Sequence, residues 1–133
     1  MAFLIDTDIC SAYLKGTRQL YGPFQMYGGG LYLSTVTLAE LWSWLLRKRA
    51  SERHLDSLQD LLKYATILPV DVAVASRSGQ ERARLFDAGK PTPVADMLIA
   101  GTALVHNLTV VTHNVDHYRV VPDLRIVDWL AEN

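Results

Sequence analysis

The stretch Ala2-Phe3-Leu4-Ile5-Asp6-Thr7-Asp8 decides the fold class. Its four apolar residues leave no room for a helical period and end in a cluster of helix-starting residues. They therefore read as a buried strand, followed by a short helix from Thr7 to Leu14 that stops before Gly16. The same alternation recurs along the chain. Leu31-Tyr32-Leu33-Ser34 is a second strand, Ile67 to Val70 a third, Val110-Val111-Thr112 a fourth and Arg125-Ile126-Val127 a candidate fifth. Helices are expected between them. Thr37 and Glu40 have capping-box spacing, and Leu38, Leu41, Trp42, Leu45 and Leu46 form a core-facing stripe. Leu55, Leu58, Leu61 and Leu62 mark another helix, Asp71 caps one that runs to Ala88-Gly89, and Pro91 and Pro93 open one from Val94 to Asn107. Between Thr17 and Gly30 the glycines and Pro23 predict an irregular helix and a mobile loop. Short apolar strands separated by helices make an α/β fold, with a central, mostly parallel sheet of four to five strands flanked by helices.

A length of 133 residues suits one domain spanning residues 1–133. With 50% hydrophobic and 20% charged residues, intrinsic disorder is excluded. The lone Cys10 excludes an internal disulfide framework and points to a reducing cytoplasm. Asp6 interrupts the N-terminus before a signal-peptide core can form, and the apolar run Met97 to Val105 is too short to span a membrane. Against 13 Lys+Arg stand 14 Asp+Glu, a net charge of -1. Bulk electrostatics therefore argue against a nucleic-acid partner unless local basic patches or metal ions hold it.

Ligands of such sheets sit outside the carboxyl ends of the strands, where strand order reverses. Asp6 follows the first strand, Glu40 lies one helical turn past the second, and Asn114 and Asp116 follow the fourth. Asp96 begins the helix that leads into the fourth strand. Singly, each acid reads as an ordinary first-turn helix residue that favours the macrodipole. Together, three or four carboxylates at one edge carry like charge that a cation must neutralise. Hard oxygen donors suit Mg²⁺ or Mn²⁺, which in turn suit phosphate chemistry.

Four blocks carry a family resemblance: Leu4-Ile5-Asp6-Thr7-Asp8, Ser34 through Leu41, Pro93 through Ala100, and Val110 through Asn114. In this order and spacing the chain resembles the PIN-domain ribonucleases, and among them the VapC toxins of bacterial toxin–antitoxin pairs. The resemblance implies a three-layer PIN-like fold and a Mg²⁺- or Mn²⁺-dependent endoribonuclease. Asp6, Glu40 and Asp96 fall on the family's acidic positions, with Asp6 and Asp96 as direct metal ligands. Asn114 takes a fourth position that is Asp or Asn in the family. Three residues further on, where relatives commonly carry an acid, His117 stands, with Asp116 one place earlier, so either Asn114 or Asp116 completes the site. The resemblance also implies an RNA substrate, with tRNA a candidate, an antitoxin partner and a homodimer. The alternatives are an RNA-processing nuclease of the same fold and a non-catalytic interaction domain.

Other signals are weaker. His113 and His117 invite a zinc reading, but no second ligand pair accompanies them. Arg47, Lys48, Arg49 and Arg53 read as a solvated helix end or as a phosphate patch, and Arg82, Arg84 and Lys90 as a second basic group beside the acids. Trp44 shares a helical face with Thr37, Glu40 and Arg47, where packing against a partner or a second copy of the chain is favoured over stacking on a base. Asp-x-Asp after the first strand also occurs in haloacid-dehalogenase phosphatases, but Cys10 stands where their Thr or Val belongs. Response-regulator receivers need a lysine after the last core strand, and none follows Thr112.

Overall fold

The computed structural model describes residues 1–47 and 52–132. Five strands form one parallel sheet: β1 (Phe3–Ile5), β2 (Leu31–Ser34), β3 (Thr66–Leu68), β4 (Thr109–Val111) and β5 (Ile126–Val127). Their order is β3-β2-β1-β4-β5, so the chain first builds outward on one side of β1 and then crosses to the other. Phe3 pairs with Leu31 on one side and with Thr109 on the other, which sets the carboxyl ends of β1 and β4 side by side. That junction is the switch point at which a ligand site is expected.

Seven helices cover the sheet: α1 (Thr7–Leu14), α2 (Tyr21–Met26), α3 (Thr35–Leu45), α4 (Glu52–Leu62), α5 (Val72–Asp87), α6 (Val94–His106) and α7 (Val115–Arg119). The period of two along the strands separates two cores. Phe3, Ile5, Leu31, Leu33 and Val111 face Ile9, Cys10 and Leu14 of α1, Leu41 and Leu45 of α3, and Leu58 and Leu61 of α4. Leu4 and Val110 face the opposite way, onto Met97, Ile99, Ala100 and Ala103 of α6, Leu85 of α5 and Tyr118 of α7. Burying each large aliphatic side chain contributes about 1.5–3 kcal/mol, so both faces are needed to hold so short a sheet. Helix α6 is buried on most sides from Met97 to Ala103, which explains why no charge follows Asp96 in it.

The structure departs from the sequence reading in three places. Helix α3 starts at Thr35, capped by Ser34 Oγ accepting from Val36 N at 3.0 Å. Thr37 thus lies inside the helix, and no capping box forms with Glu40. Leu46 ends the helix rather than joining its apolar stripe and is 70% exposed. Between Thr17 and Gly30 the expected irregular helix is α2, and where a loop was expected two 3-10 turns, Arg18–Leu20 and Gly28–Gly30, flank it. Phe24 stacks on Tyr13 with centroids 3.8 Å apart, and Tyr27 packs on Phe3 and Trp129. Gly30 is required there, because a Cβ would collide with the Met1 carbonyl oxygen. Lys48 and Arg49 of the basic run lie outside the described residues. Among the described residues no helix is long and apolar enough to cross a membrane.

Candidate active site

Asp6 is fixed before it can do anything else. Its backbone N–H donates to Val111 O at 2.9 Å, and its extended backbone makes it the N-cap of α1. Oδ1 accepts from Thr7 N at 2.8 Å, and Oδ2 accepts from the Thr112 hydroxyl at 2.8 Å. Thr112 is oriented in turn by Asn114, whose N–H donates to Thr112 Oγ1 at 3.0 Å. Only 4% of Asp6 is exposed. Burial, and then the charge of Asp8, push its carboxyl up to about 6, against the pull of the bonds from Thr112 and Thr7.

Asp96 approaches from the other face of the sheet, in the first turn of α6. Its Oδ2 lies 2.7 Å from His117 Nδ1, a bond that joins α6 to α7. Tyr118, which is 1% exposed, comes near enough to both acids to feel their charges. Its phenol is held far above its usual range by burial, by the charges of Asp6 and Asp96, and by its hydroxyl facing the Asp6 carboxylate. Glu40 reaches the same edge along α3, and its Oε1 accepts from the Thr7 hydroxyl at 2.8 Å. Thr7 Oγ1 is also 3.1 Å from Thr37 Oγ1, so Glu40 is tied to the residue that follows Asp6.

The two candidates for the fourth position behave differently. Asn114 is exposed, precedes α7, and accepts the His117 N–H at 3.1 Å through its carbonyl. Asp116 turns outward with its side chain 89% exposed and sits 3.4 Å from Arg119 Nη1. Sequence reasoning missed Thr112, Tyr118 and the bond from His117 to Asp96. Only the register of β1 with β4 and the turn of α7 bring these residues to the acids. It read Asp8 only as a first-turn residue of α1, which it is. Asp8 Oδ2 accepts from His113 N at 3.0 Å and so ties the loop after β4 to α1. His113 bonds Asp128 at 2.9 Å, so the two histidines serve different acids.

A hard divalent cation fits this donor set. Asp6 is a buried carboxylate short of positive charge, and the buried Tyr118 phenol feels the charge of both it and Asp96. Among the described residues no three His, Cys, Asp or Glu side chains converge on one point. An ion held by Asp6 and Asp96 would therefore keep several waters, which is how Mg²⁺ is usually bound. A closed four-ligand zinc site is not built here.

Comparison with known proteins agrees with this fold. Residues 3–121 match the model of the PIN domain. The chain is 32% identical over 130 residues to the tRNA(fMet)-specific endonuclease VapC of Shigella flexneri, covering 97% of this chain and 98% of that protein. Its counterpart in Salmonella typhimurium is 31% identical over the same length. The crystal structure of DNA-bound VapBC from Salmonella typhimurium superposes with a TM-score of 0.89, covering 97% of this chain and 98% of that one at 31% identity. With a parallel five-stranded sheet, acids at its carboxyl edge and full-length relatives of this kind, the chain belongs to the PIN-domain family, in its VapC branch.

Proposed function

We propose that this chain is an endoribonuclease that hydrolyses RNA phosphodiester bonds with Mg²⁺ or Mn²⁺. It acts in the cytoplasm as the toxin of a toxin–antitoxin pair. The observation that carries this reading is that buried Asp6, at the switch point of the sheet, and half-buried Asp96, at the start of α6, both act on the buried Tyr118 phenol. The VapC names of the curated relatives support RNA as the substrate class, with tRNA the first candidate. The VapBC complexes among the solved relatives support a small antitoxin as the partner. A homodimer remains the expected assembly.

Asp6 and Asp96 would hold the cation, with Asn114 at the rim of the site. When bound, the cation neutralises phosphate charge and makes water a better nucleophile at neutral pH. The protein's own part is orientation. Thr7 N–H and the Thr112 hydroxyl fix both oxygens of Asp6, and His117 holds one oxygen of Asp96. Glu40, exposed and tethered by Thr7, is placed to orient the attacking water and accept its proton. RNA cleavage by the Asp96→Asn chain tests the reading. Loss of activity with an unchanged circular dichroism spectrum is expected, and wild-type rates in the variant would return Asp96 to a helix-end role.

A further inference from the structure

The face of α3 beyond Glu40 is not used by the chemistry above. Glu40, Ser43, Trp44 and Arg47 recur at helical spacing and, with Ala39, line an open hollow of about 410 Å³. Two neighbouring elements converge on it. Lys15, the C-cap of α1, sets Nζ 5.1 Å from the Trp44 ring centroid, and His54 of α4 stacks on the same indole at 5.4 Å. Trp44 is thus a wall fixed within this chain, where the sequence reading favoured a contact with a partner or second copy, and it positions a cation. Lys15 and Arg47 are exposed, and among the described residues neither forms an ion pair. Lys48 and Arg49 follow Arg47 directly in sequence.

Helices α1 and α3 run side by side from the acidic edge. Thr7 at the start of α1 bonds Glu40 halfway along α3, and Lys15 at the end of α1 meets Trp44 near the end of α3. Arg47 follows the end of α3, and at helical rise it is about 10 Å on from Glu40, the reach of a nucleotide or two of extended strand. A site built from Asp6, Asp8, Asp96 and Glu40 repels a polyanion, and the chain's net charge of -1 offers no general attraction to offset it. Cations about one Debye length from the acids are where that repulsion has to be overcome.

We propose that Lys15 and Arg47, set against Trp44, bind the phosphate backbone of a single-stranded RNA segment next to the scissile bond. This rests on the RNA-cleaving reading and adds the path of the strand to it. The contacts are to phosphate, so the site is indifferent to base sequence. Arg82, Arg84 and Lys90 do not form an equivalent path. Arg84 pairs with Glu81, and Arg82 bonds Thr92 O and lies over Phe86, leaving Lys90 alone of the three beside His117.

The test is fluorescence anisotropy of a labelled single-stranded RNA with the full-length Asp6→Asn chain in EDTA, across a series of salt concentrations. Lys15→Ala and Arg47→Ala should each weaken binding several-fold for oligonucleotides of unrelated sequence. Each should also flatten the slope of log K against log salt by about 0.7, while Lys15→Arg and Arg47→Lys keep it. Unchanged slopes in both alanine variants, or no measurable RNA binding by the parent, would overturn the proposal. So would equal binding of poly-glutamate, which would mark the face as a site for acidic peptide. Cleavage by the wild-type chain is measured in parallel. RNA bound with the expected slopes but never cut would sink the nuclease reading alone, and RNA cut with unaltered slopes would sink the phosphate path alone.

Discussion

At the scale of the residue, Asp6 carries the largest electrostatic consequence. Its carboxyl is raised from 3.8 to about 6, so the folded state favours the protonated form more than the unfolded chain does. Below about pH 4 the group is neutral in both states and costs nothing. Between pH 4 and 6 the unfolded chain ionises first, so stability falls as pH rises and stays low above 6. Two pH units correspond to about 3 kcal/mol, an order-of-magnitude figure for a buried group. Thermal melts without metal should show that decline in the wild type, and Asp6→Asn should remove it and melt higher at neutral pH. Superimposable pH profiles would mean that Asp6 ionises at no cost. A second residue-scale prediction separates the neighbours on α7. His117→Ala releases Asp96 Oδ2 and should lower cleavage about 10–100-fold, the range for removing a partner that orients a ligand. Asp116→Ala should leave the rate unaltered, because its side chain points to solvent. The reverse pattern in single-turnover rates would relocate the fourth group to Asp116.

Among the elements, the packing of α5 against α6 decides how firmly Asp96 is held. Gly101 sits where a Cβ would run into Ser78 Oγ, so the two helices approach more closely than side chains allow. Ser78 Oγ is itself buried and without a hydrogen-bond partner. Gly101→Ala should therefore cost about 1–3 kcal/mol by overpacking. Ser78→Ala alone should be neutral or stabilising, since it removes an unsatisfied hydroxyl. Chemical denaturation of the two single variants and the double variant should show the alanine at 78 relieving part of the cost at 101. Strict additivity would mean that the contact is not the cause. The sequence could not reveal this contact, because a lone glycine in a helix reads only as a weak helix former. The alternation of strands and helices was legible, because each strand is apolar and ends in a helix-starting residue. The register of α3 was misread by three residues. Ser34 and Thr37 both offer a hydroxyl cap, and only the end of β2 selects Ser34.

For the whole molecule, topology turns ordinary acids into a site. Asp6, Glu40 and Asp96 were identifiable as acids near strand ends, yet each alone fits a helix start. The order β3-β2-β1-β4-β5 is what sets β1 beside β4, and with it Asp6 beside Thr112 and near Tyr118, whose phenol also feels Asp96. Tyr118 was illegible for the same reason, since its contact with Asp6 spans most of the chain. The net charge, which counted against a nucleic-acid partner, is a sum over unlike regions. The acids gather at the carboxyl edge, while Lys15 and Arg47 lie along the face of α1 and α3 that leads away from it. The central claim is that Asp6 and Asp96 hold a divalent cation that RNA cleavage requires. It is tested most directly by titrating Mn²⁺ into EDTA-treated wild-type, Asp6→Asn and Asp96→Asn chains, following ion binding by calorimetry and cleavage of a tRNA pool in the same samples. The account expects cleavage by the wild type to appear in step with ion binding, and both to be lost in the two variants. Cleavage that persists in EDTA, or Mn²⁺ binding that survives both substitutions, would contradict it.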